Sequence, residues 1–258
     1  MSLRIALGAA VAAAALCVVS SRRFKCIVRR KLGHVRLTYF NIAGLGEPLR
    51  LSLALAQMPF IDERLSREQF MQLKPKLRFG QVPCLTVNGD EYFQSAAILR
   101  YIGKAFDLSG QLYPTDNLAL AATIDALLDA CSDMVVGKRV YTYKERFGFP
   151  EAVFTPQVEE TIKKKWTSET LMRHLGFFVN VVSHSRTGWL ASTEGPTVAD
   201  VLLASILRNE IAALVELPPP LADLVDRVYS LPAVVAFKKA EAEAQSAEAS
   251  KQASSSSA

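Results

Sequence analysis

Apolar positions follow two rhythms along this chain, and the change falls near residue 114. Val35-Arg36-Leu37-Thr38-Tyr39-Phe40 alternates apolar with polar or aromatic residues, which predicts a strand; Ala43-Gly44-Leu45-Gly46 then turns the chain. A helix follows from Glu47-Pro48, with proline in the first turn, where its missing N–H costs nothing. Cys84 to Val87 reads as a second apolar strand, led by Val82-Pro83; Pro83 suits a strand's first position, and a cis bond fits there. After Gln94-Ser95, apolar residues recur at Ala97, Ile98, Tyr101, Ile102 and Ala105, a helical period.

Past Leu112-Tyr113-Pro114 the strand signals fade and long amphipathic stretches take over. Pro114 to Asp116 reads as a linker, and Leu118 to Lys144 as one long helix with Ile124, Leu127, Leu128, Cys131, Met134 and Val135 on one face. Gln157 to Ser185 predicts further helix, with Lys163-Lys164-Lys165 on a solvated face. Thr197-Val198-Ala199-Asp200 has the spacing of a capping box before an apolar helix, a structural device. Lys238 to Glu248 extends a helix, whereas 249–258 is dominated by Ser and Ala and is expected to be disordered. The pattern as a whole predicts an α/β unit followed by an all-α unit.

Composition adds a boundary at the start. Half of the 258 residues are apolar, enough to bury a substantial core, and the net charge is +5. The basic excess is local: Arg22, Arg23, Lys25, Arg29, Arg30, Lys31 and Arg36 cluster, and no acid precedes Glu47. Charges elsewhere nearly balance, which argues against nucleic acid as a partner of the folded body. Ile5 to Val19 is uncharged and almost wholly apolar. As a helix it spans about 22 Å, short of the roughly 30 Å hydrocarbon core unless flanking residues join it and Arg4 snorkels. Three readings compete for residues 1–32: a membrane anchor, a cleaved presequence for the mitochondrion or another organelle, and a secretory signal. For an anchor, the basic flank places the body on the cytosolic side. Cys17, Cys26, Cys84 and Cys131 form no CxxC pair, and His34, His174 and His184 no ligand motif, so reduced thiols and no metal are expected.

The candidate chemistry lies in the first unit. A turned-out backbone at Val82 could pair with an extended ligand as an added strand does. Ser95 reads as the N-cap or first turn of its helix, where free N–H groups and the positive dipole end favour a carboxylate. Tyr39 falls at a strand's end beside a helix N-terminus. Each has a plainer reading: Ser95 caps its own helix, and Tyr39 packs with a wet hydroxyl. Together they suggest a pocket for a peptide-like ligand bearing carboxylates.

Tyr39-Phe40-Asn41 with Gly44 and Glu47-Pro48-Leu49-Arg50, then Leu73-Lys74-Pro75, Phe79-Gly80-Gln81-Val82-Pro83, and Gln94-Ser95 with Ile98 and Arg100-Tyr101 resemble, in order and spacing, the cytosolic glutathione S-transferases, most closely the sigma-like class. The resemblance runs from about Val35 to Phe237. It implies a thioredoxin-like, glutathione-binding domain over 33–113 and an all-helical domain over 117–240. It further implies glutathione as co-substrate with no other cofactor, and a small hydrophobic electrophile as second substrate. Tyr39 would be the catalytic hydroxyl facing the thiol. Gln81 and Val82, beside Pro83, would bind the cysteinyl backbone, Lys74 and Phe70 the glycine end, and Gln94 and Ser95 the γ-glutamyl carboxylate. Asp133, on the stripe Asp125, Asp129, Asp133, matches an acid that reaches the glutathione of a neighbouring subunit, which implies a homodimer.

Energetics qualify that implication. Lowering a thiol from its reference pKa of about 8.5 by about two units requires roughly 2.7 kcal/mol, against about 1.5–3 kcal/mol from one hydrogen bond to a charged group. A helix dipole adds roughly 0.3–1 kcal/mol. Sigma-like relatives usually carry arginines where this chain has Ala43 and Leu45, and many have Trp where it has Phe70. Weaker thiol activation is therefore expected than in the family at large. Two alternatives accompany the enzyme reading: a non-catalytic glutathione-binding scaffold tethered to a membrane, and a peroxide-reducing or dithiol enzyme using Cys84.

Overall fold

The computed structural model describes residues 33–255. The apolar run Ile5–Val19, the basic cluster up to Lys31, Cys17 and Cys26 lie outside the described residues. Among the described residues no helix is long and apolar enough to cross a membrane.

The first unit is thioredoxin-like. β1 (Val35–Phe40) leads through a turn into α1 (Glu47–Leu55), and β2 (Ile61–Leu65) returns parallel to β1. α2 (Arg67–Leu73) starts at a Ser66–Gln69 capping box. β3 (Cys84–Val87) and β4 (Asp90–Phe93) form a hairpin whose turn residues, Asn88 and Gly89, both have positive φ, as a two-residue hairpin turn of matching twist requires. The sheet order is β2-β1-β3-β4, with β3 antiparallel to both neighbours. α3 (Ser95–Ala105) closes the unit.

Helices make up the second unit: α4 (Leu118–Met134), α5 (Val136–Thr142), α6 (Pro156–Lys165), α7 (Met172–Ser183), α8 (Val198–Ile206), α9 (Pro219–Tyr229) and α10 (Pro232–Ser255). The largest hydrophobic cluster among the described residues spans both units, running from Leu37, Leu49, Leu85 and Ile98 into Ile124, Leu128, Met134, Val198 and Leu202. The Thr197 box is buried: Asp200 accepts from the Thr197 N–H and hydroxyl, both at 2.7 Å, and from the Leu190 N–H at 2.8 Å.

Three expectations need correction. Leu118 to Lys144 is not one helix, because it breaks at Val135. The Trp166 indole N–H donates to the Met134 carbonyl at 3.2 Å, and Gly137 lies so close to that ring that a Cβ there would be 2.2 Å from it. A side chain distant in sequence thus ends the helix and backs the next one. The predicted helix over Gln157 to Ser185 is a continuous path from Pro156 to Ser183, but Trp166–Leu171 within it is wound as a π-helix. The stretch 249–258, expected to be disordered, is helical as far as Ser255, an extension that its Ala, Lys and Gln residues favour in the absence of Gly or Pro.

Candidate active site

Tyr39 ends β1 with its side chain 7% exposed, under the loop that leads to α1. Its hydroxyl accepts a hydrogen bond from the Leu45 N–H at 3.1 Å. That leaves the phenolic proton free to be donated elsewhere. Burial raises the Tyr39 pKa above its ordinary value, outweighing the opposing pull of the Leu45 amide, so the hydroxyl stays protonated. Close approach depends on two glycines. A Cβ on Gly44, which has φ of +40°, would stand 2.7 Å from the Tyr39 hydroxyl, and one on Gly46 would stand 2.5 Å from the ring.

The loop itself is fastened from below. Arg50, wholly buried on α1, donates to the carbonyls of Ile42 at 2.8 Å and Phe40 at 3.1 Å and to Asp62 at 3.0 Å. An acid partner and two carbonyls satisfy the guanidinium that burial would otherwise strand.

Across from the loop, the bond between Val82 and Pro83 is cis. Pro83 is buried and the Val82 side chain packs beside Leu77, Cys84 and Phe93, while the Val82 main chain makes no hydrogen bond among the described residues. An N–H and a C=O left open at a cleft edge suit a ligand that pairs like a strand. At the adjoining helix, Gln94 holds φ of +69°, uncommon for a residue with a side chain, and Ser95 is the first residue of α3. No side chain caps this helix, so the plainer reading of Ser95 as its own helix's cap is not what the structure has.

Six of the nine sequence candidates, Tyr39, Gln81, Val82, Pro83, Gln94 and Ser95, line one cleft of about 830 Å³. Three do not. Phe70 packs edge-on against Phe40 with ring centroids 5.0 Å apart, beneath the cleft floor, where a ring without an N–H donor is content. Lys74 is exposed at the end of α2. Asp133 is exposed on α4, although its neighbour Ser132 reaches the cleft.

Sequence reading missed the opposite wall. Lys138, Arg139 and Tyr143 from α5 and its C-cap, Arg146 from the turn beyond, and Asn209 and Glu210 after α8 all line the same cavity. The signal was faint: Arg139, Tyr143 and Arg146 share one helical face by spacing, but nothing nearby in sequence says which face points inward. Lys138 pairs with Glu210 at 2.9 Å. Positive charge absent at Ala43 and Leu45 thus reaches the cleft from the helices.

Other candidates fall elsewhere. Asp125 and Asp129 are both bound by Arg100 of α3, and Tyr113 donates to Asp125 at 3.0 Å, so two of the three stripe acids serve the joint between units. No group of His, Cys, Asp and Glu fit to hold a metal occurs among the described residues. Cys84 is buried, and that burial pushes its thiol up to about 11, which makes a poor nucleophile near neutral pH.

Comparison with known proteins agrees with this architecture. Residues 35–104 match the family model described as "Glutathione S-transferase, N-terminal domain", and 148–241 match "Glutathione S-transferase, C-terminal domain". Glutathione S-transferase 3 of Caenorhabditis elegans is 32% identical over 70% of this chain and 82% of its own length. Glutathione S-transferase 1 of Ascaris suum is 34% identical over 67% and 79%. Among solved structures, prostaglandin synthase D of Nilaparvata lugens is similar at 28% identity and a TM-score of 0.67, covering 80% of this chain and 97% of that one. The glutathione S-transferase from Ascaris lumbricoides gives 30% and 0.62, over 81% and 97%. The chain belongs to the glutathione S-transferase family. In activity it is a glutathione transferase.

Proposed function

We propose that the enzyme activates glutathione through Tyr39 and joins its sulfur to small hydrophobic electrophiles. The observation that carries this is the Tyr39 hydroxyl: taking the Leu45 N–H at 3.1 Å, it keeps its own proton for a sulfur anion in the cleft. A hydrogen bond to the charged form lowers the thiol's pKa. The tripeptide lies extended along Gln81, Val82 and Pro83, its cysteinyl amide paired with the open Val82 main chain and its γ-glutamyl carboxylate at the uncapped start of α3 by Gln94 and Ser95. Phe70 and Lys74 support the glycine end from outside the cavity. The electrophile occupies the helical side.

Order and spacing of the motifs favour the sigma-like class within the family, and likeness to a prostaglandin synthase favours isomerisation as a second reaction at the same site. Exposed Asp133 suits a homodimer in which each subunit's Asp133 reaches the glutathione of the other. Residues 1–32, apolar then basic, tether the body to a membrane from its cytosolic side.

Calorimetry on residues 33–258 tests the binding half: micromolar to millimolar affinity for glutathione is expected, and no heat of binding refutes it. Turnover of a chlorodinitrobenzene-type electrophile, lost in Tyr39→Phe while glutathione affinity persists, tests the chemical half.

A further inference from the structure

Two cations on the helical wall have no acid to answer them. Arg139 makes no side-chain hydrogen bond or ion pair among the described residues, and the Arg146 guanidinium lies 5.6 Å from the Tyr143 ring centroid without an ion pair. Lys138, the third cation of that wall, is already matched by Glu210. The same cavity holds the Tyr39 hydroxyl on one side and exposed apolar side chains, Ile42 and Phe147, at its rim. A neutral apolar molecule entering here would strip water from two guanidinium groups and return nothing for it. A molecule with an anionic end would meet planar donors suited to a carboxylate.

We infer that the preferred electrophile is amphipathic and anionic: an apolar body bearing a carboxylate, which Arg139 and Arg146 hold while the reacting carbon is presented to the sulfur beside Tyr39. The inference rests on the placement of glutathione proposed above. Arg139 and Arg146 are specificity-determining residues in it, acting on the second substrate rather than on the thiol.

A matched pair of electrophiles tests it: a chlorodinitrobenzoate and its carboxamide, each rate divided by the uncatalysed rate with glutathione. In both reactions a C–S bond forms, the C–Cl bond breaks with its electron pair leaving as chloride, and the thiol proton passes to solvent. The full chain is expected to favour the carboxylate about tenfold in normalised kcat/KM, with that preference shrinking as salt is raised. The double variant R139Q/R146Q should bring the ratio close to one, and R139K/R146K should keep its charge-dependent part while losing the part due to planar donors, which separates lost charge from lost structure. Equal normalised rates for the two electrophiles in the unaltered enzyme overturn the inference alone, leaving glutathione placement intact. A rise in the KM for glutathione in R139Q/R146Q with the ratio unmoved overturns it too, since the arginines would then serve the tripeptide. Absence of any glutathione binding in calorimetry overturns both readings together.

Discussion

The two walls of the cleft are made from different materials. On the sheet side the Tyr39 hydroxyl is set among main-chain groups: the Leu45 amide that bonds it, the open Val82 N–H and C=O, and the uncapped turn at Ser95, with buried Arg50 fastening the loop after β1. On the helical side the groups that face the cavity are long side chains with rotamer freedom, Arg139 and Arg146 foremost. Main-chain groups keep their place when the side chains attached to them change, provided that Gly44, Gly46 and Arg50 hold the loop. A wall of side chains changes with each substitution. A transferase that keeps one co-substrate and varies the other is well served by that division.

Four substitutions probe what holds the molecule in this arrangement. The largest effect is expected from Arg50→Met, which leaves the Ile42 and Phe40 carbonyls and Asp62 short of a donor. It should cost about 3–5 kcal/mol in urea unfolding, with kcat falling as the Tyr39 loop loosens; an unchanged midpoint would mean the sheet wall is not braced as described. Asp200→Ala strips one carboxylate from three donors and should cost about 2–4 kcal/mol, with activity per folded molecule retained because the site is remote from the cleft.

Third comes Tyr39→Phe. It should raise the pKa of bound glutathione, read from thiolate absorbance against pH, by about one to two units, and leave thermal stability nearly untouched. If the thiol titrates as before, the sulfur is held by something other than the phenol.

The smallest effect tests the far end of the chain. Burial pushes the Glu241 carboxyl up, but hydrogen bonds from Lys238 and Arg64 together outweigh it and hold it below the ordinary value. A carboxylate depressed in the folded state adds stability above its unfolded pKa and loses it as pH falls through the folded one. Glu241→Gln should therefore remove about 0.5–1 kcal/mol at neutral pH, and the deficit should vanish on acidification below the usual carboxylate range. Circular dichroism melts across that range measure it.

How much of this was readable beforehand depends on the range of the interactions involved. β1, β3 and the start of α3 follow from spacings within about ten residues, and the turn glycines and Pro83 mark their ends; β2 and β4, short and rich in charged residues, carry no such alternation and are not read from the sequence. Nor is the helical side. Arg139 faces the cleft from a helix that begins afresh after Val135, and that break depends on Trp166, 32 residues along the chain from the Met134 carbonyl it bonds. Periodicity over Leu118 to Lys144 sees only an unbroken amphipathic stripe. The roles of Phe70 and Lys74 rest on resemblance alone, and both residues lie outside the cavity lining, where Phe in place of Trp leaves no polar atom needing a partner.

If glutathione pairs with the Val82 main chain as proposed, that edge is blind to what the sulfur carries. A thioether conjugate presents the same amide and carboxylates to that edge as the free tripeptide, so the finished product competes with fresh co-substrate for the seat. Turnover then waits on the helical side letting go, and accumulated conjugate should act as the enzyme's own brake.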